Sequence, residues 1–438
     1  MDRKRIVIVG GGFAGLTCAT SLGSVNAQIT LIDRRNFHLF QPLLYQVATG
    51  GLSPANIAAP LRSVLKRQKN VEVLMAEVSS FEWTAKNVVL SDQTRIPFDI
   101  LILATGSTHH YFGNDEKWQA KAPGLKSIED ATEIRRRVLS AFEQAELTDD
   151  VELRKKLLTF VVVGGGPTGI EMAGAICELS RQTMKNDFRR IDPRQARVIL
   201  VENSTRILER YHEDLSASAR SALEALGAEV WTQTRLLDIG DDFVVVNREG
   251  QQQQLPAQTI VWAAGVKASP LGRCLAEAIG ADVELDRAGR VTVDPYCNIP
   301  GHSEVFVLGD LALQLGANGP LPGVAPVAIQ QAQYVAKRIK KLLAGTIDTV
   351  PFKYWDKGQM ATIGRSRAVV ESGKMRMKGR LAWLAWLFIH ILYLTRFENR
   401  VMVIFQWGWN YVTRNRAARL ITGNSRQEAA SNSASDTR

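Results

Sequence analysis

Two short glycine clusters carry the strongest chemical signal in this chain. Gly10-Gly11-Gly12-Phe13-Ala14-Gly15 fits the spacing G-x-G-x-x-G, and Gly164-Gly165-Gly166-Pro167-Thr168-Gly169 repeats it 154 residues later. In such a turn the first glycine permits a tight bend after a strand. The second lets backbone approach a pyrophosphate, and the third lets a helix pack closely on the sheet. Amide groups at the helix start then face the phosphates with positive potential. A lone match is weak, because glycine triplets also occur in plain turns. The flanking elements must decide.

Those elements are readable. Residues 5–9 are a strand, an apolar helix pattern runs to about Leu22, and residues 28–33 are a second strand. That strand ends at Asp33, 23 residues after Gly10, where a carboxylate can accept from ribose hydroxyls. The second copy has strands at 159–163 and 197–202, ending at Glu202, 38 residues after Gly164. A polar extension from Arg181 to Pro193 lengthens its crossover. Two copies of one βαβ unit predict an α/β fold with two Rossmann-like dinucleotide-binding domains. Glu202 would repel the extra phosphate of NADPH, which favours NADH, although Arg206 nearby opposes that effect.

Further short strands are expected at 100–106, 259–265 and 305–310. The first and third return to the first unit, and the second to the second. The organisation expected is 1–115 and 286–345 as one discontinuous domain, 116–285 as the other, 346–423 as a C-terminal region, and 424–438 as a disordered tail. A fold with two such units pairs a flavin with a nicotinamide donor. The first unit carries the further pieces Ala104-Thr105-Gly106 and Gly309-Asp310, so it is assigned FAD and the second NADH. Asp310 can bond a ribityl chain or cap a helix beginning at Leu311, and both readings stand together.

A reduced flavin needs an oxidant. The four cysteines form no close pair, which argues against a redox disulfide, a disulfide framework or a zinc site. No metal-ligand spacing is present, and His109-His110 reads as a loop feature. The oxidant is therefore a diffusible molecule. No secretory leader pattern precedes Ile6, so the catalytic body is expected in the cytoplasm. The 438 residues, 45% of them hydrophobic, are enough for two or three domains.

The net charge of +10 suits nucleic acid, anionic lipid or an anionic ligand. Its distribution is more telling. Between Lys374 and Arg419, nine basic residues face one acid, Glu398, a balance of +8 in the most Trp-rich segment. Residues 381–394 would form a helix of about 21 Å, short of the ~30 Å hydrocarbon core. A second apolar stretch, 401–412, is shorter. With Trp383, Trp386, Trp407 and Trp409 suited to headgroup level, a pair of interfacial helices on anionic lipid is expected. A buried hairpin or a dimer interface is the alternative, and no nucleic-acid role is expected.

Six stretches together resemble the type II NADH dehydrogenases, single-subunit NADH:quinone oxidoreductases that do not pump protons. They are Gly10–Gly15, Phe40–Ala48, Gly164–Glu171, Trp262–Val266, Val307–Asp310 and Ala328–Gln331. The resemblance implies that Gly10, Gly12, Gly15, Asp33, Thr105, Gly106 and Asp310 bind FAD. It implies that Gly166, Gly169, Glu202 and Gly265 bind NADH. Glu171 would serve proton or quinone handling, and Gln330 and Gln331 would lie at the quinone tunnel. Read alone, Glu171 is a first-turn helix acid and the glutamines a polar helix face. One departure is Ala325-Pro326, where many relatives carry Ala-Gln. The resemblance also implies a membrane quinone as acceptor and a peripheral homodimer on the cytoplasmic face of the inner membrane. Rival readings are a sulfide:quinone oxidoreductase, a soluble ferredoxin or rubredoxin reductase, and a non-enzymatic NADH-binding redox sensor.

Overall fold

A computed structural model describes residues 3–280, 283–317, 319–346, 349–416 and 418–422. The tail expected at 424–438 lies outside the described residues. The chain divides into two compact units. One draws on the segment ending at Leu39, on Ala58–His110 and on Val266–Lys357. The other draws on Phe40–Ile57, Tyr111–Gly265 and the described chain from Gly358 on.

The first unit begins with strand β1 (Lys4–Val9), helix α1 (Phe13–Ser21) and strand β2 (Ala27–Asp33). Strand β3 (Ile100–Leu103) pairs with β1 in parallel. These strands read as near-continuous apolar runs because helices and a second layer cover both of their faces. In the second unit, β4 (Thr159–Val163), α2 (Pro167–Glu178) and β5 (Arg197–Val201) repeat the arrangement. Helix α3 (Glu213–Ala225) follows, and β6 (Thr259–Trp262) pairs in parallel with β4. The chain then returns to the first unit with β7 (His302–Val307), parallel to β3, and helix α4 (Ala325–Leu343). All three expected strand returns are present.

The first unit's main sheet runs Asn298–Ile299, β7, β3, β1, β2, Val71–Met75. One face of this sheet packs on α1 and α4, with Leu16, Cys18 and Ala19 against Ala328, Ala332, Val335 and Ala336. Small residues on both helices allow close approach; Cys18 Sγ reaches the Ala332 carbonyl at 3.5 Å. Truncating a buried leucine such as Leu31 would cost about 2–5 kcal/mol. The second unit's sheet runs Ala228–Trp231, β5, β4, β6. It thus has its own parallel core, centred on Val161, Ile199 and Ile260.

Also in the second unit, β8 (Gln359–Thr362), β9 (Ala368–Ser372) and β10 (Met375–Gly379) form an antiparallel sheet. Helices α5 (Arg380–Tyr393) and α6 (Phe397–Thr413) follow. Helix α5 buries Ala382 and Trp386 and exposes Leu381, Leu384, Phe388 and Leu392 along one stripe. Among the described residues no helix is long and apolar enough to cross a membrane.

Two expectations change here. No helix starts at Leu311: Gly309–Leu311 is a single tight turn, followed by the short strand Ala312–Leu313, so Asp310 caps nothing. The +8 segment is also less bare than its sequence. Arg376, Arg396, Arg416 and Arg419 pair with Glu371, Glu398, Glu178 and Asp187. Three of those four partners lie outside the segment counted, and Glu398 offsets only one of its charges.

Candidate dinucleotide sites and an aromatic cavity

In the first unit, Gly10 has φ +101°, and a Cβ there would sit 2.5 Å from the Ala104 carbonyl oxygen. A Cβ on Gly15 would sit 1.7 Å from the Gly10 oxygen, which is why α1 can start so close to the turn. Gly12 is open, with nothing within 4 Å of a Cβ position. Asp33 is oriented by two amides: Gly11 N–H donates to Oδ2 at 2.6 Å and Arg35 N–H to Oδ1 at 2.7 Å.

The rest of this site comes from later chain. Thr105 Oγ1 is buried without a hydrogen-bond partner, and Gly106 turns with φ +66°. Ser107 Oγ donates to Asp310 Oδ2 at 2.7 Å. A buried hydroxyl left unpaired costs about 1–3 kcal/mol, so its persistence beside an open glycine turn fits a bound ligand with polar groups. The residues present fit a dinucleotide.

The glutamines are placed unequally. Gln331 is buried, accepting from Gly309 N–H at 2.7 Å and donating to Gln314 Oε1 at 2.8 Å. It thereby fixes the Gly309-Asp310 turn, where Gly309 has φ +70°. The Gln330 amide is engaged both ways with the backbone of Trp355, at 2.9 Å each. Sequence reasoning missed His38, whose Nδ1 lies 3.1 Å from the Gly11 carbonyl. Burial lowers its pKa, so the ring is held neutral beneath the turn. No spacing signal announces it.

The second unit repeats the first turn closely. Gly164 has φ +110°, its Cβ position lying 2.6 Å from the Ala263 oxygen, and that of Gly169 lies 1.8 Å from the Gly164 oxygen. Gly166 is open. Glu202 accepts from Gly165 N–H at 2.5 Å and from Ser204 N–H at 2.7 Å. Gly265 closes the segment after β6 with φ +158°. Arg206 donates to the carbonyls of Tyr211 and Glu209 at 3.0 and 2.8 Å, so its guanidinium is committed to backbone. That removes the one cation that opposed an NADH preference.

Glu171 lies in the second turn of α2, not the first, and accepts from Thr362 N–H at 3.4 Å. Its side chain keeps some exposure, yet burial pushes the carboxyl up to about 8, the bond from Thr362 only partly offsetting this. Near it is Tyr45, whose hydroxyl burial raises well above its ordinary value.

Still within the second unit, a cavity of about 540 Å³ opens among Tyr45, Gln46, Trp383, Trp386, Trp407 and Tyr411. Trp407 Nε1 donates to Gln46 Oε1 at 2.7 Å, and Gln46 Nε2 donates to Tyr45 Oη at 2.9 Å. A part-buried ion pair, Arg416 to Glu178 at 2.9 Å, closes its polar end. Burial lowers the Arg416 pKa while Glu178 opposes that shift. His390, stacked on Trp386 at 4.1 Å, is pushed down to about 4 by burial and is neutral. Aromatic walls with one polar end suit a planar ring that carries hydrogen-bond acceptors.

Comparison with known proteins agrees with this geometry. Residues 4–332 match the family model described as pyridine nucleotide-disulphide oxidoreductase. The chain is 46% identical over 426 residues to the type II NADH:quinone oxidoreductase Ndh of Mycobacterium tuberculosis, spanning 96% of this chain and 90% of that protein. It is 45% identical over 428 residues to NdhA of the same organism, with the same coverage. Among solved structures, NDH2 from Plasmodium falciparum in complex with NADH superposes with a TM-score of 0.84 at 19% identity, covering 96% of this chain and 100% of that one. At that identity the likeness is one of fold.

Proposed function

We infer the activity from one premise: the chain belongs to the type II NADH:quinone oxidoreductases, within the pyridine nucleotide-disulphide oxidoreductase family. It transfers electrons from NADH to a quinone. The observation that carries this reading is the pair of glycine turns, each with a carboxylate already oriented by backbone amides.

The first unit would hold FAD. Gly10, Gly12 and Gly15 would admit its pyrophosphate, Asp33 would accept from its ribose, and Thr105, Gly106 and Asp310 would meet the rest of the molecule. Bound there, FAD supplies the chemistry that accepts a hydride from NADH and gives two electrons to a quinone. Gly166, Gly169, Glu202 and Gly265 would hold NADH, with Glu202 excluding a 2′-phosphate. Gln331 positions Asp310 through the Gly309 turn, and Gln330 steadies the chain at Trp355. The Glu171 carboxyl, protonated in most molecules at neutral pH, would hold the proton that a reduced quinone oxygen requires.

The aromatic cavity would admit the quinone, and the exposed apolar stripes of α5 and α6 support peripheral attachment to a membrane. A cytoplasmic face, a homodimer and the absence of proton pumping belong to this reading and are supported only by the family resemblance. A sulfide-oxidising cysteine pair gains no support. Cys18 and Cys297 are buried, and burial pushes the Cys297 thiol up to about 12.

Steady-state turnover in detergent tests the reading. NADH with a short-chain quinone should be consumed at a rate far above that with NADPH or with sulfide as donor. Turnover with sulfide but not NADH would overturn it.

A further inference from the structure

We propose that a basic groove in the second unit is a binding site for the phosphate headgroup of an anionic membrane lipid. This deepens the peripheral-membrane reading above and rests on it.

The groove has a volume of about 820 Å³. It is lined by Ser218 and Ser221 of α3, by Arg367 at the turn between β8 and β9, and by Lys378 and Arg380 where β10 passes into α5. In the C-terminal segment Arg376, Arg396, Arg416 and Arg419 have carboxylate partners, while Lys374, Arg400 and Arg414 have no ion pair among the described residues and lie outside this groove. Arg367, Lys378 and Arg380 have no ion pair among the described residues, and they line one groove.

Their arrangement is costly as it stands. The β9–β10 register sets Ala368 opposite Gly379, so Arg367 and Arg380 come next on neighbouring chain segments. Cations that line one groove repel each other. Arg380 is also the first residue of α5, where the helix end carries positive partial charge. That end has no side-chain cap. One acid, Asp214, also lines the groove, its Oδ2 3.5 Å from His212 Nδ1, so these three cations face a single carboxylate. Phosphodiester oxygens among these groups would relieve each repulsion and accept charge-assisted hydrogen bonds from the arginines.

The apolar surface identifies the source of the phosphate. Leu381, the residue after Arg380, is 70% exposed, and Leu384 and Phe388 continue the stripe along α5. A free phosphate would satisfy the cations and leave that stripe uncovered. A phospholipid covers both, with its headgroup in the groove and its acyl chains along the helix.

Full-length, flavin-loaded protein should be tested for binding to vesicles of phosphatidylcholine alone and to vesicles containing phosphatidylglycerol. Wild type is expected to prefer the anionic vesicles. Combining Arg367→Gln, Lys378→Gln and Arg380→Gln should weaken anionic-vesicle binding about a hundredfold while leaving neutral-vesicle binding and short-chain quinone turnover unchanged. A control combining Arg287→Gln, Lys337→Gln and Lys340→Gln removes the same charge from the other unit and should lose much less. The single exposed substitution Arg367→Glu should reduce the preference in the same direction. Equal losses in the two triple variants would overturn the proposal. Wild type bound equally by both vesicle types would overturn the headgroup site alone. Binding to neither would overturn the membrane attachment as well.

Discussion

Gly10 and Gly164 bend with φ of +101° and +110°, and each donates its amide at 2.8 Å to the carbonyl that ends the apolar part of the next strand, Ile32 or Val201. Asp33 and Glu202 then take the same two amide bonds, one from the middle of the glycine turn and one from two residues downstream. The turns diverge two residues past the third glycine. The first has Thr17 there and the second has Glu171. The first is completed by distant chain, through Thr105, Ser107 and Asp310. The second is completed by Thr362 against Glu171. The same backbone device thus recurs twice in a form that would admit a dinucleotide, and the side chains just beyond it differ between the copies.

The glycines that end each turn separate the two copies most sharply. Gly15→Ala or Gly169→Ala places a Cβ against a carbonyl oxygen, a strain of about 1–3 kcal/mol or more that moves the helix start. Gly15→Ala should purify without flavin colour yet still bind NADH by titration. Gly169→Ala should keep its colour and lose reduction by NADH. If both variants lost both ligands, the two turns would not serve separate dinucleotides.

Glu171 gives a smaller effect with a definite sign. Its carboxyl, held at about 8 against an ordinary 4.5, keeps a proton in the folded chain that the unfolded chain has released. Stability through this residue therefore falls as pH rises between those values. Turnover should fall over the upper part of the same window if the proton is used. Glu171→Gln should lower turnover about a hundredfold, remove the alkaline limb of the pH–rate profile, and flatten the melting temperature against pH. Full turnover with an unchanged limb would take Glu171 out of the reaction, leaving the turns as they are.

Local sequence carried the two fingerprints, their terminal acids and the strand returns, because glycine spacing and apolar runs are properties of a few adjacent residues. What it hid was made by distant contacts. Thr362 meets Glu171 across 191 positions, and Arg416 meets Glu178 across 238; with Arg376, Arg396 and Arg419 also paired, four charges counted toward a bare basic segment proved to have carboxylate partners. Gln331 read as one of a polar pair but is consumed inside the first unit, by Gly309 and Gln314. Of the two readings of Asp310, the helix cap fails because a short strand follows it, and the ligand contact stands.

Anaerobic mixing of the flavin-loaded protein with NADH, followed by a short-chain quinone, probes both turns in one experiment. NADH should bleach the flavin absorbance within the turnover time, and the quinone should restore it fully with one quinone consumed per NADH. A flavin spectrum that ignores NADH, or one that only oxygen restores, would contradict the assignment.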